Sequence, residues 1–317
     1  MRSVRCLITL AAVAALSASA NAQDTKVAIA ISGWTGFAPL TLANEAGLFK
    51  KNGLDVTIKK IPQKDRHLAI ASGDVQCAAT TVETWVSWNA NGVATTQIFQ
   101  LDKSYGADGL VVKPGIAKIA DLKGKTVAAS APGTAPYFGL AWILKKNGLS
   151  VKDVKVLTLE PQPVANAMIA GTTDFDGGMT YEPYLSAVRA KPEAGKIIAT
   201  TLDYPMVMDT FGCAPKFLKE NPKAAKALAD SYFDALDMIK KDPKKSYEIM
   251  GADVKQSGEA FEKSQAYLRW QDRTANQKFF AGEHQQFTKE AADLLLEIGI
   301  IKQIPDLSGL ADTSFIK

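Results

Sequence analysis

The pentamer "KKNGL" stands twice in the chain, at Lys50–Leu54 and again at Lys145–Leu149. Alone it proves little, because lysine in a last helical turn and Asn-Gly at a helix exit are ordinary capping chemistry. Its surroundings repeat as well. The first copy closes the order strand "VAIAIS", loop "GWTGFAP", helix, and is followed by the strand "DVTIKKI"; the second closes "TVAAS", "APGTAPYF", helix, and is followed by "VKVLTL". A third match pairs "AIASGDVQCAATT" (69–81) with "MIAGTTDFDGGMT" (168–180), each a helix end, a glycine turn and a strand. Two lobes built alike follow, each of parallel βαβ units.

In open α/β sheets, ligands sit at the loops after the carboxyl ends of the strands, where unpaired helix N–H groups face outward. That rule places "GWTGFAP" (33–39), "TTVETW" (80–85), "SAPGTAP" (130–136) and "MTYEPY" (179–184) on one kind of edge, two from each lobe. Facing lobes then enclose a cleft. The strand "IIATTL" and the extended "YPMVMDTFGCAP" lead into a lysine-rich tail with Ala224, Leu228, Tyr232, Ala235, Leu236 and Ile239 at helical spacing. The tail is read as returning to the first lobe, with hinges near "YGADGLVV" (105–112) and "ATTLDYP" (199–205). A separate helical domain is the alternative, disfavoured because no Pro/Gly/Ser linker precedes it.

Residues 1–22, "MRSVRCLITLAAVAALSASANA", carry two arginines, an apolar stretch and the small-x-small pattern of a cleavage site after Ala22, which reads as a removable export signal. With 37 basic and 33 acidic residues, two of the former in the leader, the mature chain is near neutral and indicates no nucleic-acid partner. Cys77 and Cys213 remain after cleavage; pairing is permitted outside the cytoplasm, although apolar-flanked thiols are more often simply buried. "LKGKT" (122–126) lacks the leading glycine and following helix of a phosphate loop, and His67 and His284 are too few for zinc. No cofactor, metal or catalytic residue is indicated.

The segments "GWTGFAPLTLANEAGLFKKNGLDVTI", "IASGDVQCAATTVETW", "DLKGKTVAASAPGTAPYFGLAWILKKNGL" and "YEPY" together resemble the nitrate/sulfonate/taurine-type substrate-binding proteins of ABC importers. The resemblance spans nearly the whole mature chain in order. It implies an α/β, bilobal periplasmic-binding-protein fold with a hinge and a ligand cleft, a periplasmic location, a small-molecule ligand, and delivery to an ABC permease driven by a cytoplasmic ATPase, with no membrane insertion of its own. The lobes then divide as 23–108, 109–203 and 204–317, the last returning to the first. A superfamily relative that makes the thiamin pyrimidine is rich in histidine and cysteine, which this chain is not.

The resemblance assigns ligand contact to the loops after the strands, giving Trp34, Thr35, Thr80, Thr81, Glu83, Thr134, Tyr181 and Glu182, with Asp209 added from the returning strand. Trp34 becomes one wall of the cleft, between Gly33 and Gly36; packing against a sheet edge is the bland alternative. The mouth loops carry Glu83 and Glu182 but no arginine, and a carboxylate in a poorly hydrated cleft is costly unless it faces a cation. Both glutamates also suit helix capping, and Asp209 a structural hydrogen bond. Tyr181, Trp85 and Tyr105 offer faces for cation–π contact or are core. "GADG" with "YPMVMDTFG" further resembles a subgroup associated with urea- or guanidine-carboxylating enzymes. The expected solute is therefore nitrogen-rich, guanidinium or urea-like. The alternatives are a small sulfonate, another anion or a pyrimidine, and, in another class, a periplasmic hydrolase using Glu83 and Glu182.

Overall fold

The computed structural model describes residues 24–317, so the leader reading lies outside the described residues. The chain begins with β1 (Thr25–Ile31), α1 (Ala38–Glu45), α2 (Leu48–Lys51), β2 (Leu54–Lys60), α3 (Gln63–Ser72), β3 (Cys77–Thr81), α4 (Val82–Ala90) and β4 (Thr96–Ser104). A second run follows: β5 (Asp108–Val112), β6 (Thr126–Ala129), α5 (Ala135–Lys146), β7 (Lys155–Thr158), α6 (Pro161–Ala170), β8 (Gly177–Tyr181), α7 (Tyr184–Arg189) and β9 (Lys196–Thr200). The last run is β10 (Met208–Cys213), α8 (Pro215–Glu220), α9 (Pro222–Lys241), α10 (Pro243–Asp253), α11 (Gly258–Gln265), β11 (Leu268–Trp270), α12 (Arg273–Lys278) and α13 (His284–Glu297).

The strands form two sheets, ordered β11-β4-β10-β3-β1-β2 and β7-β6-β8-β5-β9. Read from β2 and from β7, the two correspond. β1 pairs in parallel with β2 and β3, as β6 does with β7 and β8. In each sheet the fourth strand is antiparallel: β10 on β3, and β5 on β8. These fourth strands are the ones that arrive from the other sheet. Their registers also match, for Asp209 pairs with Thr81 and Asp108 with Tyr181, so each crossing strand sets an aspartate opposite the last residue of a parallel strand. β3, β5 and β10 are buried along their whole length, and their apolar and small side chains fit a sheet covered on both faces.

The two crossings are tied to each other. Ser104 Oγ lies 2.6 Å from Thr201 Oγ1, which also accepts a hydrogen bond from the Gly106 amide at 2.9 Å. At the far end of β10 the chain is locked covalently, since Cys213 and Cys77 face one another in register and form a disulfide. The pairing that the sequence leaves open is thus made, across neighbouring strands. In α9 the residues picked out by helical spacing, from Ala224 to Ile239, are all buried, and this helix packs on α1 and α2. Among the described residues no helix is long and apolar enough to cross a membrane.

Candidate functional site

A cavity of about 60 Å³ opens where the helix-bearing edges of the two sheets meet. Trp34 and Phe37 contribute from the turn after β1, Gln63 and Arg66 from α3, and Tyr181 from the end of β8. Asp108 and Asp209, the matched residues of the two crossing strands, both reach it.

Trp34 is 5 % exposed and stands edge-on to Tyr181, with ring centroids 5.4 Å apart. Its Nε1 donates to both carboxylate oxygens of Asp102, at 3.3 and 3.4 Å. A Cβ at Gly36 would collide with Asp102 Oδ2 and with Trp34 Nε1. Glycine is needed here because indole and carboxylate meet over bare backbone.

Arg66 is the cation of the site, and the sequence reading missed it. The guanidinium is 1 % exposed; Nε donates to the Ile61 carbonyl at 2.9 Å, Nη1 to the Ala79 carbonyl at 2.6 Å, and Nη2 has no partner. Burial lowers its pKa to about 10, opposed by Tyr181, Asp209 and Glu160, so it stays charged at neutral pH. The mouth loops carry no arginine, but the cavity does. The signal was present, since α3 follows β2 just as α1 follows β1, and the same edge rule applies to "IPQKDR".

Four further carboxyls cluster here, all buried: Glu83, Asp102, Asp108 and Asp209. Burial pushes Glu83 up to about 8, against hydrogen bonds from Thr81 and Thr84, and Asp108 up to about 7. Asp102 and Asp209 are also raised, first by burial. Asp108 Oδ2 lacks a partner.

Of the sequence candidates, Trp34, Thr81, Tyr181 and Asp209 line the cavity, and the rest lie behind it or elsewhere. Glu83 accepts a hydrogen bond from Thr81 and does not itself line the cavity. Thr80 accepts from Gln63 Nε2 at 2.7 Å. Thr134 Oγ1 donates to the Ala131 carbonyl at 2.7 Å, where α5 starts. The Thr35 amide donates to the Glu182 carbonyl at 3.5 Å. The Glu182 carboxylate pairs with Arg189 and accepts from the Ser186 amide, so it serves α7. Trp85 is core, donating to Thr210 Oγ1 at 2.7 Å, and Tyr105 is half exposed beneath Arg269. Among the described residues no cluster of side chains is arranged to hold a metal ion.

Two corresponding sheets joined by two crossings, with a polar cavity at their facing edges, make this a bilobal periplasmic-binding-protein fold. The chain belongs to the family described as NMT1/THI5 like, which matches residues 34–246. It is 29% identical over 233 residues to the taurine-binding periplasmic protein of Escherichia coli (strain K12), covering 71% of this chain and 69% of that one. The alkanesulfonate-binding protein SsuA from Xanthomonas axonopodis pv. citri, solved bound to MOPS, superposes with a TM-score of 0.79 at 17% identity, covering 92% of this chain and all of that one. The desulfurization enzyme DSZB shares the fold with a TM-score of 0.67 at 14% identity, covering 92% of this chain and 97% of its own. The fold is therefore common to binders and to an enzyme, and the site has to separate them.

Proposed function

We propose that this chain is the extracytoplasmic solute-binding component of an ABC importer, with lobes at 23–108, 109–203 and 204–317 that close on a small amine-bearing sulfonate or similar compact zwitterion. The observation that carries the reading is one cavity holding an unpartnered buried Arg66 Nη2 together with an unpartnered Asp108 Oδ2. Each desolvated group costs free energy until a ligand supplies its counterpart, and a charge-assisted hydrogen bond returns about 1.5–3 kcal/mol. The arginine takes the anionic end, while Asp108 and Asp209 take the ammonium. The relatives named for taurine and alkanesulfonates favour this anion-bearing class over guanidinium or a urea-like solute, and a bare cation would leave Arg66 without a partner. Trp34 and Tyr181 wall the methylene stem. The closed form is delivered to a permease and its ATPase in the cytoplasmic membrane, from a periplasmic location reached by the leader.

A hydrolase reading finds no support in the site, because neither Glu83 nor Glu182 lines the cavity and Glu182 is committed to Arg189. Titration calorimetry with taurine, ethanesulfonate, guanidinium and urea tests the proposal. Taurine is expected to bind more tightly than ethanesulfonate, with guanidinium and urea weakest. Tightest binding of guanidinium, or turnover of a panel compound by the purified protein, would overturn it.

A further inference from the structure

Asp102 and Asp209 are direct partners across the antiparallel ladder of β4 and β10, so their side chains leave the sheet on the same side. Both are buried, at 0 % and 2 % exposure, so the cross-strand pairing sets two carboxyls side by side out of reach of water. Two ionised carboxylates offer only acceptors, so neighbours like these can bond to each other only when one of them holds a proton. Charged and titratable groups approach from every side. Asp108 of β5, Glu83 of α4 and Arg66 of α3 act on Asp209, and Asp108 also acts on Asp102. Tyr232 of α9 lies near both aspartates and donates its hydroxyl to the Leu101 carbonyl. β11 sets Trp270, an uncharged residue, opposite Asp102. The one N–H donated to Asp102 by a side chain comes from Trp34, and no cation pairs with Asp102 or Asp209 among the described residues. Like charges this close and this dry do not both ionise.

We propose that Asp102 and Asp209 share one proton in the empty cleft, and that capture of a solute carrying a positive group expels it. The first half stands on the ladder geometry; the second rests on the zwitterion reading above. The unpartnered Asp108 Oδ2 and Arg66 Nη2 at the same cavity mark where the solute's two ends sit. In the empty protein Asp209 carries the proton and donates it to ionised Asp102. An arriving ammonium replaces it: the Asp209 O–H bond breaks, the proton goes to solvent, and Asp209 accepts from the ammonium. Charge balances, since one positive group enters and one proton leaves. Asp102 remains ionised under the Trp34 N–H and acts as a positioning residue, holding Asp209 ready without touching the solute. Upward displacement of both groups by burial and mutual repulsion agrees with this arrangement.

Two measurements test it on the full-length mature protein. Infrared difference spectra of the ligand-free protein at neutral pH, wild type against each variant, are expected to show a protonated carboxyl band that Asp209→Asn loses and Asp102→Asn shifts. No lost or shifted band in either variant overturns the shared proton. Calorimetry with taurine in buffers of equal pH but different ionisation heat is expected to show release of about one proton, largely abolished by Asp209→Asn. Ethanesulfonate, which has no positive group, is expected to release none. Binding of taurine without buffer-dependent heat overturns the coupling. Loss of the band with no panel compound bound upholds the shared proton and defeats only the solute reading.

Discussion

Arg66 brings a positive charge to the cavity, with its plane fixed by two backbone carbonyls and one nitrogen unspent. Replacing it with alanine removes a charge-assisted hydrogen bond, about 1.5–3 kcal/mol. We expect taurine affinity measured by calorimetry to fall by roughly 10- to 150-fold, while Arg66→Lys, which keeps the charge but loses the fork, falls between. Gly36→Ala probes the opposite wall. The added methyl lands on the Trp34–Asp102 contact, so overpacking of about 1–3 kcal/mol is expected as a lower melting temperature, with altered Trp34 fluorescence. Trp34 and Tyr181 were legible from their place after a strand. Arg66 was within reach of the same edge rule but easily passed over, because it lies one helical turn inside α3 and not in the loop itself. Asp108 was visible only as part of a hinge sequence; its partnership with Asp209 depends on registers in two different sheets, which local pattern does not encode.

At the scale of elements, the crossing strands do most of the organising. β5 and β10 each carry an aspartate to the cavity, and β10 is pinned at its other end by Cys77–Cys213, which closes a loop across 136 positions of sequence. Constraining so long a loop in the unfolded chain stabilises by about 2–5 kcal/mol. Denaturant titration of the Cys77→Ala, Cys213→Ala double variant should show a loss of that order, with taurine affinity little changed because the bridge lies away from the cavity. The repeated order of strands was readable from "KKNGL" outward, since each lobe follows the same local rules. The antiparallel fourth strands were not, since a strand's partner is chosen by the whole chain.

For the molecule as a whole, several carboxyls sit in one dry space, and this makes stability depend on pH in an unusual direction. Glu83 rises from an ordinary 4.5 to about 8 and Asp108 from 3.8 to about 7. Between the ordinary and the raised values the native protein holds protons that the unfolded chain has released, so stability declines as pH rises through that window. The ligand-free protein should melt at a higher temperature near about pH 5 than near about pH 8, with a difference on the order of several kcal/mol at most. Taurine should narrow the gap by supplying a cation. A melting temperature that climbs across this range without ligand would contradict the burial of these groups.

The connectivity also allows an order of assembly. The sheet made of β5 to β9 is drawn from one unbroken stretch of chain, whereas the other needs β10 between β3 and β4. A polypeptide emerging amino end first can therefore complete its middle portion while its opening portion still has a gap at the centre, waiting for the strand that will fill it.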